Sequence, residues 1–545
     1  MTDTTETGRL NLDWATTLAA GLAAAGVRDI VISPGSRSTP LTLACLRQPA
    51  LRCTVIVDER SAAWFALGRV RAEGRPVALI GTSGTAPANW LPAVIEANQS
   101  RLPLLLLSAD RPPELQQCGA NQTIDQQQLF AGQLRAFHAP GAPFAGFSRS
   151  WLQQLAAQAV AEARWPLAGP VHINLAFREP LLPADPEVMP GTVMSAPPPE
   201  VFAPMLVPDG RGIARLADRL SGRAGVIVCG GGIQSDGFAA AVDALATALA
   251  CPVLADPHSG LRFGPHPSAH LCVAHERWLR DAGQRAALRP AWVLRFGEMP
   301  VTRTLQTYMA DCTEHYIVTA NGRWPDPLHS TRILLRGDER LVCEHLAGTI
   351  SAQAPASWMT GFRAAEAAAA AEQPASAEGR LFSILCDTLP DGSRLFCGNS
   401  LPIRELAAWS GGSRRHLVIH ANRGASGIDG NIATAAGIAE SVPTVAVIGD
   451  LTAQHDLGSL VLMRERPLVV IVVNNGGGGI FDYLPPARLP EYETGWRTPQ
   501  QLHFDHAAAT FGLPYLATEN PETAAAAARD CLGSRSSLLI ELALG

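Results

Sequence analysis

Two short segments in the C-terminal part of the chain carry the residue types that a divalent cation and a phosphate chain require. GDLTAQHDL begins at Gly449 and VVIVVNNGGGGIF ends at Phe481, which puts Asp450 and Asn475 25 positions apart. Each follows a run of aliphatic and β-branched residues that reads as a buried strand. Adjacent parallel strands joined by one helix bring such strand ends together. The Asp450 carboxylate, the Asn475 amide oxygen and the backbone carbonyl of Gly477 then form a set of hard oxygen ligands. Magnesium takes about six of these near 2.1 Å, and a diphosphate with a water completes the set. The run from Gly476 to Gly479 lets backbone N–H groups approach phosphate oxygens. Either half alone has an ordinary alternative, an Asp helix cap or a glycine loop. The two together, each behind a strand, favour the cation and diphosphate.

Phosphate would have to be bound without lysine, because all 43 basic residues are arginine. That excludes Schiff-base chemistry, biotin or lipoyl attachment and a Walker-type phosphate loop. Arginine stays charged and forks onto carboxylates, so it clamps anions but shuttles protons poorly. Set against 49 acidic residues, the net charge is −6, which offers no general attraction for nucleic acid or an anionic membrane. Charged residues make up 17% and hydrophobic ones 47% of the chain; the average charged share is about 25%. This predicts a large, well-buried protein with sizeable subunit contacts. The sequence begins without a basic stretch and apolar core, and no apolar run reaches the roughly 18 residues of a membrane span. A cytoplasmic protein with no membrane partner is therefore expected. The 11 cysteines are scattered without a C-x-x-C pair, which predicts reduced core thiols.

The elements that must position these residues are legible as an alternation of short β-rich runs and Ala/Leu-rich helical stretches. The first block has runs starting at Asp29, Cys53, Pro76, Leu102 and Pro170; the second at Ala224, Cys251, Ala291, His315 and Thr331; the third at Ser393, His416, Pro443, Pro467 and Ser537. A proline-rich stretch over 181–211 and an Ala/Glu/Pro-rich one over 350–380, partly helical at FRAAEAAAAAE, separate the blocks. The expectation is an α/β protein of three doubly wound domains with mainly parallel sheets, spanning 1–185, 205–350 and 375–545. Ligands should lie beyond the carboxyl ends of the strands.

The GD and NN elements at this spacing resemble the signature of thiamine diphosphate enzymes. Such a cofactor makes a second demand: a glutamate that hydrogen-bonds its aminopyrimidine ring, so that the ring nitrogen can take the thiazolium proton. Glu59, in VIVDERSAAWFALG, follows a strand in a different block and opens a helix. Its ordinary role would be a helix N-terminal charge paired with Arg60. Glu59 with Asp450 and Asn475 reproduces the pyrimidine, central and diphosphate domain order of the acetolactate synthase and pyruvate decarboxylase superfamily. Within it, ISPGSRSTPL at Ile32, DERSAAWFALG at Asp58, GTSGTAPANWLPAVIEA at Gly81, SADRPPEL at Ser108, GANQTIDQ at Gly119, NLAFREPL at Asn174, GNSLPIRE at Gly398 and NRGASGIDG at Asn422 resemble the MenD family. Its members are 2-succinyl-5-enolpyruvyl-6-hydroxy-3-cyclohexene-1-carboxylate (SEPHCHC) synthases of menaquinone biosynthesis. The likeness is dense in both outer domains and thin in the central one.

That resemblance implies decarboxylation of 2-oxoglutarate and 1,4-addition of the succinyl carbanion equivalent to isochorismate, with release of CO2. It implies thiamine diphosphate with Mg2+, or alternatively Mn2+, and a homodimer or dimer of dimers with the cofactor between subunits. Ser36, Arg37, Arg111, Asn121 and Gln122 match positions that bind isochorismate. Ser400, Arg404 and Arg423 match those holding the carboxylate derived from 2-oxoglutarate, and Arg303 aligns loosely with a basic substrate-facing position. Glu59, Ile428, Asp450, Leu451, Thr452, Asn475, Gly477, Gly478, Ile480 and Phe481 would contact the cofactor, Ile428 from beneath. Asp450, Asn475 and Gly477 would hold the metal. One departure is NNGGGG in place of the family's more usual NNNGG, so Gly476 lacks an amide contact. The alternatives are a simpler 2-oxo acid decarboxylase or acetolactate-type synthase of the same superfamily, and a non-catalytic homologue.

Other signals are weaker. His258, His266, His270, Cys272 and His275 have a zinc-like spacing, but the proline and glycine between them indicate a loop. CGGGIQSD at Cys229 does not meet the dinucleotide pattern, and GTSGT lacks the last glycine of a nucleophile elbow, so Ser83 is a poor hydrolase nucleophile.

Overall fold

In the computed structural model, which describes residues 4–186, 199–233, 235–265 and 268–544, the apolar runs become strands of three six-stranded sheets. The first sheet contains β1 (Asp29–Ile32), β2 (Arg52–Val55), β3 (Val77–Gly81), β4 (Leu104–Asp110), β5 (Ala136–His138) and β6 (Val171–Ala176). The second contains β7 (Gly225–Cys229), β8 (Val253–Ala255), β9 (Leu271–Cys272), β10 (Trp292–Phe296), β11 (His315–Thr319) and β12 (Thr331–Arg336). The third contains β13 (Arg394–Cys397), β14 (Val418–His420), β15 (Thr444–Gly449), β16 (Leu468–Asn474), β17 (Tyr515–Thr518) and β18 (Leu538–Ala543). Every pairing is parallel. Parallel strands need crossovers, and helices covering the faces explain why central strands such as β3, β4 and β16 are continuous apolar runs rather than alternating ones.

The strand order fixes where ligands can sit. The first sheet runs β2-β1-β3-β4-β6-β5, and the third, β14-β13-β15-β16-β18-β17, repeats the same permutation. The second runs β12-β11-β10-β7-β8-β9, a different winding. In an open parallel sheet the crevice forms where the winding reverses, outside the carboxyl ends of the strands. In the outer sheets that point lies between β1 and β3 and between β13 and β15, which are followed by the SPGSR, GTSGT, GNS and GD segments.

The chain divides into two compact units. One comprises Met1–Ala203, Asn422–Val442 and Gln454–Arg466; the other comprises Pro204–Ala421, Pro443–Ala453 and Pro467–Gly545. Within the first unit the helix Glu59–Glu73 packs along the helix Asn431–Ala439 at a glycine crossing. A Cβ on Gly68 would stand 2.1 Å from the Thr434 carbonyl oxygen, and one on Gly437 2.1 Å from that of Phe65. Arg69, 1% exposed, ties the same helices by donating to Ser441 Oγ at 2.7 Å while pairing with Asp29 and Glu73. A methyl group at either glycine cannot be absorbed by a rotamer change, because its neighbour is backbone. Gly68→Ala should therefore destabilise the protein by about 2–3 kcal/mol, within the overpacking range, read as a lowered thermal midpoint; an unchanged midpoint would show that the helices separate freely.

Candidate functional site

Beyond β1, β3 and β4 the first unit gathers polar groups. Arg111, after β4, donates from Nη1 to Ser83 Oγ, and Gln122 donates from Nε2 to the Ser83 carbonyl at 2.9 Å. Burial, and next the nearby Arg37 guanidinium, lower the Arg111 pKa. The two guanidiniums are in electrostatic reach of each other and of the Glu179 and Asp110 carboxylates. Arg37 is itself 5% exposed, donates to the Phe177 carbonyl at 2.8 Å and pairs with Glu179 at 2.7 Å, which leaves only its buried Nε without a partner. Its guanidinium is thus largely committed to protein. Ser36 and Asn121 are exposed beside this group. Beneath it Gln126, almost fully buried, accepts from Gly84 N–H at 3.1 Å and donates to Asn174 Oδ1 at 3.0 Å, and Asn174 donates to Asp110 at 2.8 Å.

Glu59 is the first residue of its helix. The cap is Asp58, which accepts from the N–H groups of Arg60 at 2.9 Å and Ser61 at 3.4 Å. Arg60 approaches Asp58 at 3.7 Å rather than Glu59. The alternative of a Glu59–Arg60 pair is therefore not what the structure shows, and the half-exposed Glu59 carboxylate makes no hydrogen bond or ion pair among the described residues. In the same unit the NRGASGIDG loop is held by a residue that sequence reasoning passed over. Glu96, 0% exposed on the helix Leu91–Ser100, accepts from Gly424 N–H at 2.9 Å and Ala425 N–H at 2.7 Å and pairs with Arg71 at 3.2 Å. This pins the loop that carries Arg423, half-buried, and Ile428, whose aliphatic side chain is 37% exposed.

The second unit holds the cation-type group. β15 pairs with β16 so that Gly449 lies opposite Val473, and Asp450 and Asn475 leave neighbouring strand ends. Asp450 is buried; its Oδ1 accepts from Leu451 N–H at 2.9 Å and its Oδ2 from Gly477 N–H at 2.6 Å. Burial raises its pKa, and those backbone donors oppose the rise. Gly477 has φ +122°, closed to L side chains, and a Cβ there would stand 2.2 Å from the Arg497 carbonyl oxygen. That carbonyl accepts from Gly478 N–H at 2.7 Å, while the Arg497 guanidinium donates to the Asn475 carbonyl and pairs with Asp482 at 3.1 Å. The Gly477 carbonyl accepts from Gly479 N–H at 2.8 Å. Gly476, at φ +75°, also adopts the left-handed conformation.

Asn475 donates from Nδ2 to Glu378 at 3.3 Å, while its Oδ1 is buried with no hydrogen-bond partner among the described residues. A buried acceptor without a donor is uncommon. Together with the Asp450 carboxylate it forms a hard-oxygen set that fits a small divalent cation, and the glycine run leaves room for phosphate oxygens. Burial, then Glu405, push Glu378 up to about 7. Thr452 is buried, and Leu451, Ile480 and Phe481 are half-buried around this loop.

Also in this unit, Ser400 precedes the helix Leu401–Trp409 at φ +74°, a left-handed conformation for a non-glycine residue. Such outliers gather at functional sites. Arg404, exposed one turn later, donates to the Ser400 carbonyl. Arg303 is exposed at the start of the helix Arg303–Ala310 and makes no hydrogen bond or ion pair among the described residues. Of the histidine group, His266 lies outside the described residues. His258 pairs with Asp256 at 3.0 Å, and His275 and His270 bond backbone carbonyls, so these three have separate partners. All 11 cysteines are free. No described helix is long and apolar enough to cross a membrane.

Glu96, Glu378, Arg497 and Gln126 are the residues sequence reasoning missed. Glu96 lies in GTSGTAPANWLPAVIEA and Gln126 in GANQTIDQ, but neither segment marks the residue's role, and Glu378 and Arg497 lie outside the motifs, so only the partner in space reveals what each does.

Comparison with known proteins agrees with this arrangement. Residues 12–129 match the family described as Thiamine pyrophosphate enzyme, N-terminal TPP binding domain, and residues 406–542 match Thiamine pyrophosphate enzyme, C-terminal TPP binding domain. A 2-succinyl-5-enolpyruvyl-6-hydroxy-3-cyclohexene-1-carboxylate synthase from Dechloromonas aromatica (strain RCB) is 49% identical over 543 residues, covering 99% of each chain. Curated proteins of the same name from Geobacillus thermodenitrificans (strain NG80-2) and Haloarcula marismortui are each 40% identical, covering 91% and 93% of this chain and 87% and 90% of their own. Among solved structures, benzoylformate decarboxylase from Polynucleobacter necessarius superposes with a TM-score of 0.76 at 13% identity, covering 97% of this chain and 98% of that one. This last likeness concerns the fold alone.

Removing the Glu96 carboxylate would leave two backbone donors and Arg71 unpaired. Glu96→Ala should cost about 3 kcal/mol of stability and accelerate amide exchange at Gly424 and Ala425 more than elsewhere. Unchanged protection at those two amides would show that the loop is held by other contacts.

Proposed function

The chain belongs to the 2-succinyl-5-enolpyruvyl-6-hydroxy-3-cyclohexene-1-carboxylate synthase family of thiamine pyrophosphate-dependent transferases, and from that premise we propose that it decarboxylates 2-oxoglutarate and adds the succinyl unit to isochorismate. The observation that carries this reading is the Asp450 and Asn475 pair: a buried carboxylate and a buried, unpartnered amide oxygen at neighbouring strand ends. These two, with the Gly477 carbonyl, would hold Mg2+, and the N–H groups of the glycine run would receive the diphosphate. Thiamine diphosphate, when bound, supplies the electron sink that lets the carboxyl carbon leave as CO2 and the remaining carbonyl carbon act as a nucleophile.

The chain's own residues do the rest. Glu59, with no hydrogen-bond or ion-pair partner among the described residues, would hold a proton against the aminopyrimidine ring, which requires a carboxyl group free to make that bond. Ile428 would support the cofactor from beneath, with Ile480 and Phe481 beside it. Arg404 and Arg423, with Ser400, would clamp the carboxylate of the 2-oxoglutarate-derived unit, since planar guanidinium groups bind carboxylates bidentately. Arg111, Gln122, Ser36 and Asn121 would receive isochorismate. Arg37, already paired with Glu179, would act there mainly through its charge and its free Nε. Arg303, without an internal partner among the described residues, would be available for a second carboxylate. The site would be completed in a homodimer or a dimer of dimers.

Purified protein should consume 2-oxoglutarate only when isochorismate, thiamine diphosphate and Mg2+ are all present; equal turnover of pyruvate alone would overturn the substrate assignment. Glu59→Gln should lower kcat by about 10²- to 10⁴-fold, and a variant with undiminished product formation would remove Glu59 from the mechanism. Metal binding should also follow pH. Glu378, raised to about 7, is an acceptor-only partner for Asn475 Nδ2 above that pH, and Asp450, raised by burial, carries its negative charge only above its own raised pKa. Lowering the pH from 8 to 6 should therefore weaken Mg2+ binding by about tenfold, measurable by calorimetry; a pH-independent affinity would contradict it.

A further inference from the structure

Asn475 offers the cation only one of its two amide ends, and which end faces the site is decided by what the other end meets. An amide can turn over at little cost, exchanging an oxygen ligand for an NH2 group that a cation repels. Within the NNGGGG run the other side chain is Asn474, which donates from Nδ2 to Glu541 at 2.7 Å and accepts at Oδ1 from Gly476 N–H at 3.2 Å, and the remaining residues are glycines, so the run itself does not select the orientation. The group that does is Glu378. It is 7% exposed, and its Oε1 accepts from Asn475 Nδ2 at 3.3 Å, while Oδ1 on the opposite side is buried and without a partner. With the NH2 end taken up by the Glu378 carboxyl oxygen, the amide oxygen is the end left for the cation.

Glu378 is itself fixed. It lies in the first turn of the helix Ala377–Thr388. That helix is capped by Ser376, whose Oγ accepts from Gly379 N–H at 3.0 Å and donates to Glu405 at 2.9 Å. The turn cannot slide, because a Cβ on Gly379 would stand 2.6 Å from Trp409.

We propose that Glu378 is a positioning residue that sets the amide of Asn475 with its oxygen toward the divalent cation. This rests on the reading of Asp450 and Asn475 as the cation site. Glu378 reaches the metal through Asn475, by holding its amide, and not by a bond to the ion.

A binding cycle on the full-length protein with thiamine diphosphate tests this, using Mn2+ as the probe and its paramagnetic resonance signal as the readout, independent of turnover. Glu378→Ala should weaken Mn2+ binding by about tenfold, the scale of one hydrogen bond to a charged group. In an Asn475→Asp background both ends of the side chain are oxygens and no orientation needs selecting. There Glu378→Ala should leave Mn2+ affinity unchanged or tighten it, since two facing carboxylates no longer repel. Should Glu378→Ala fold poorly, Glu378→Gln serves in the same cycle: its amide can present either end, so it should also weaken Mn2+ binding in the protein that keeps Asn475 and not in the Asn475→Asp background. The same loss in both backgrounds would make Glu378 a ligand or a purely structural group and overturn the proposal, as would no loss in either. An Asp450→Asn variant that binds Mn2+ as tightly as the parent would instead remove the cation site itself, and the proposal with it.

Discussion

The geometry at the ends of β15 and β16 depends on one buried carboxylate. Asp450 leaves β15 at a strand end that faces little water, where an unsatisfied charge would be expensive. The two backbone donors it receives, from Leu451 and Gly477, answer part of that demand and join the strand end to the glycine loop. Neither donor is a full positive charge, so the carboxylate stays above its ordinary pKa. Asn475, with an oxygen that meets no donor, adds to the same deficit. The segment is thus stable as folded yet left with acceptor capacity that a divalent cation is suited to satisfy.

The scaffold provides this by repetition. The first and third sheets share one strand order, so each has a reversal point after its first and third strands. Loops that follow those strands carry SPGSR and GTSGT in one sheet, GNS and GD in the other. Their precision comes from residues behind them. Glu96 fastens the NRGASGIDG loop through two backbone amides, Gln126 and Asn174 form a shelf under Gly84, and Arg497 clasps the glycine run by its carbonyl and its guanidinium. In a chain without lysine every side-chain cation other than histidine is arginine, and burial divides the set. Arg69 and Arg262 are buried and internally bonded, whereas Arg303 is exposed with no internal partner among the described residues.

The strands were largely legible because parallel sheets covered on both faces require unbroken apolar runs, and each such run in the sequence is a strand. The exceptions are instructive. β5, β9 and β17 gave no signal; each is two to four residues long and lies at the outer edge of its sheet. An edge strand has one pairing neighbour and little burial, so its composition is not constrained to be apolar. His138 and Thr518 sit in such strands without disturbing any core.

The sequence by itself determined the α/β class, the three blocks of strands, and the residues whose chemistry is local to a strand end, Asp450, Asn475 and Glu59 among them. These follow from periodicity and short motifs, which act over a few residues. Only the tertiary structure decided which of those groups are committed to protein and which are free. It bound Arg37 to Glu179, left Glu59 without the Arg60 partner, and supplied Glu96 and Glu378 from helices distant in sequence. The physical reason is that hydrogen bonding and burial depend on which atoms meet in space, and a buried carboxylate far along the chain leaves no mark on the motif it holds in place.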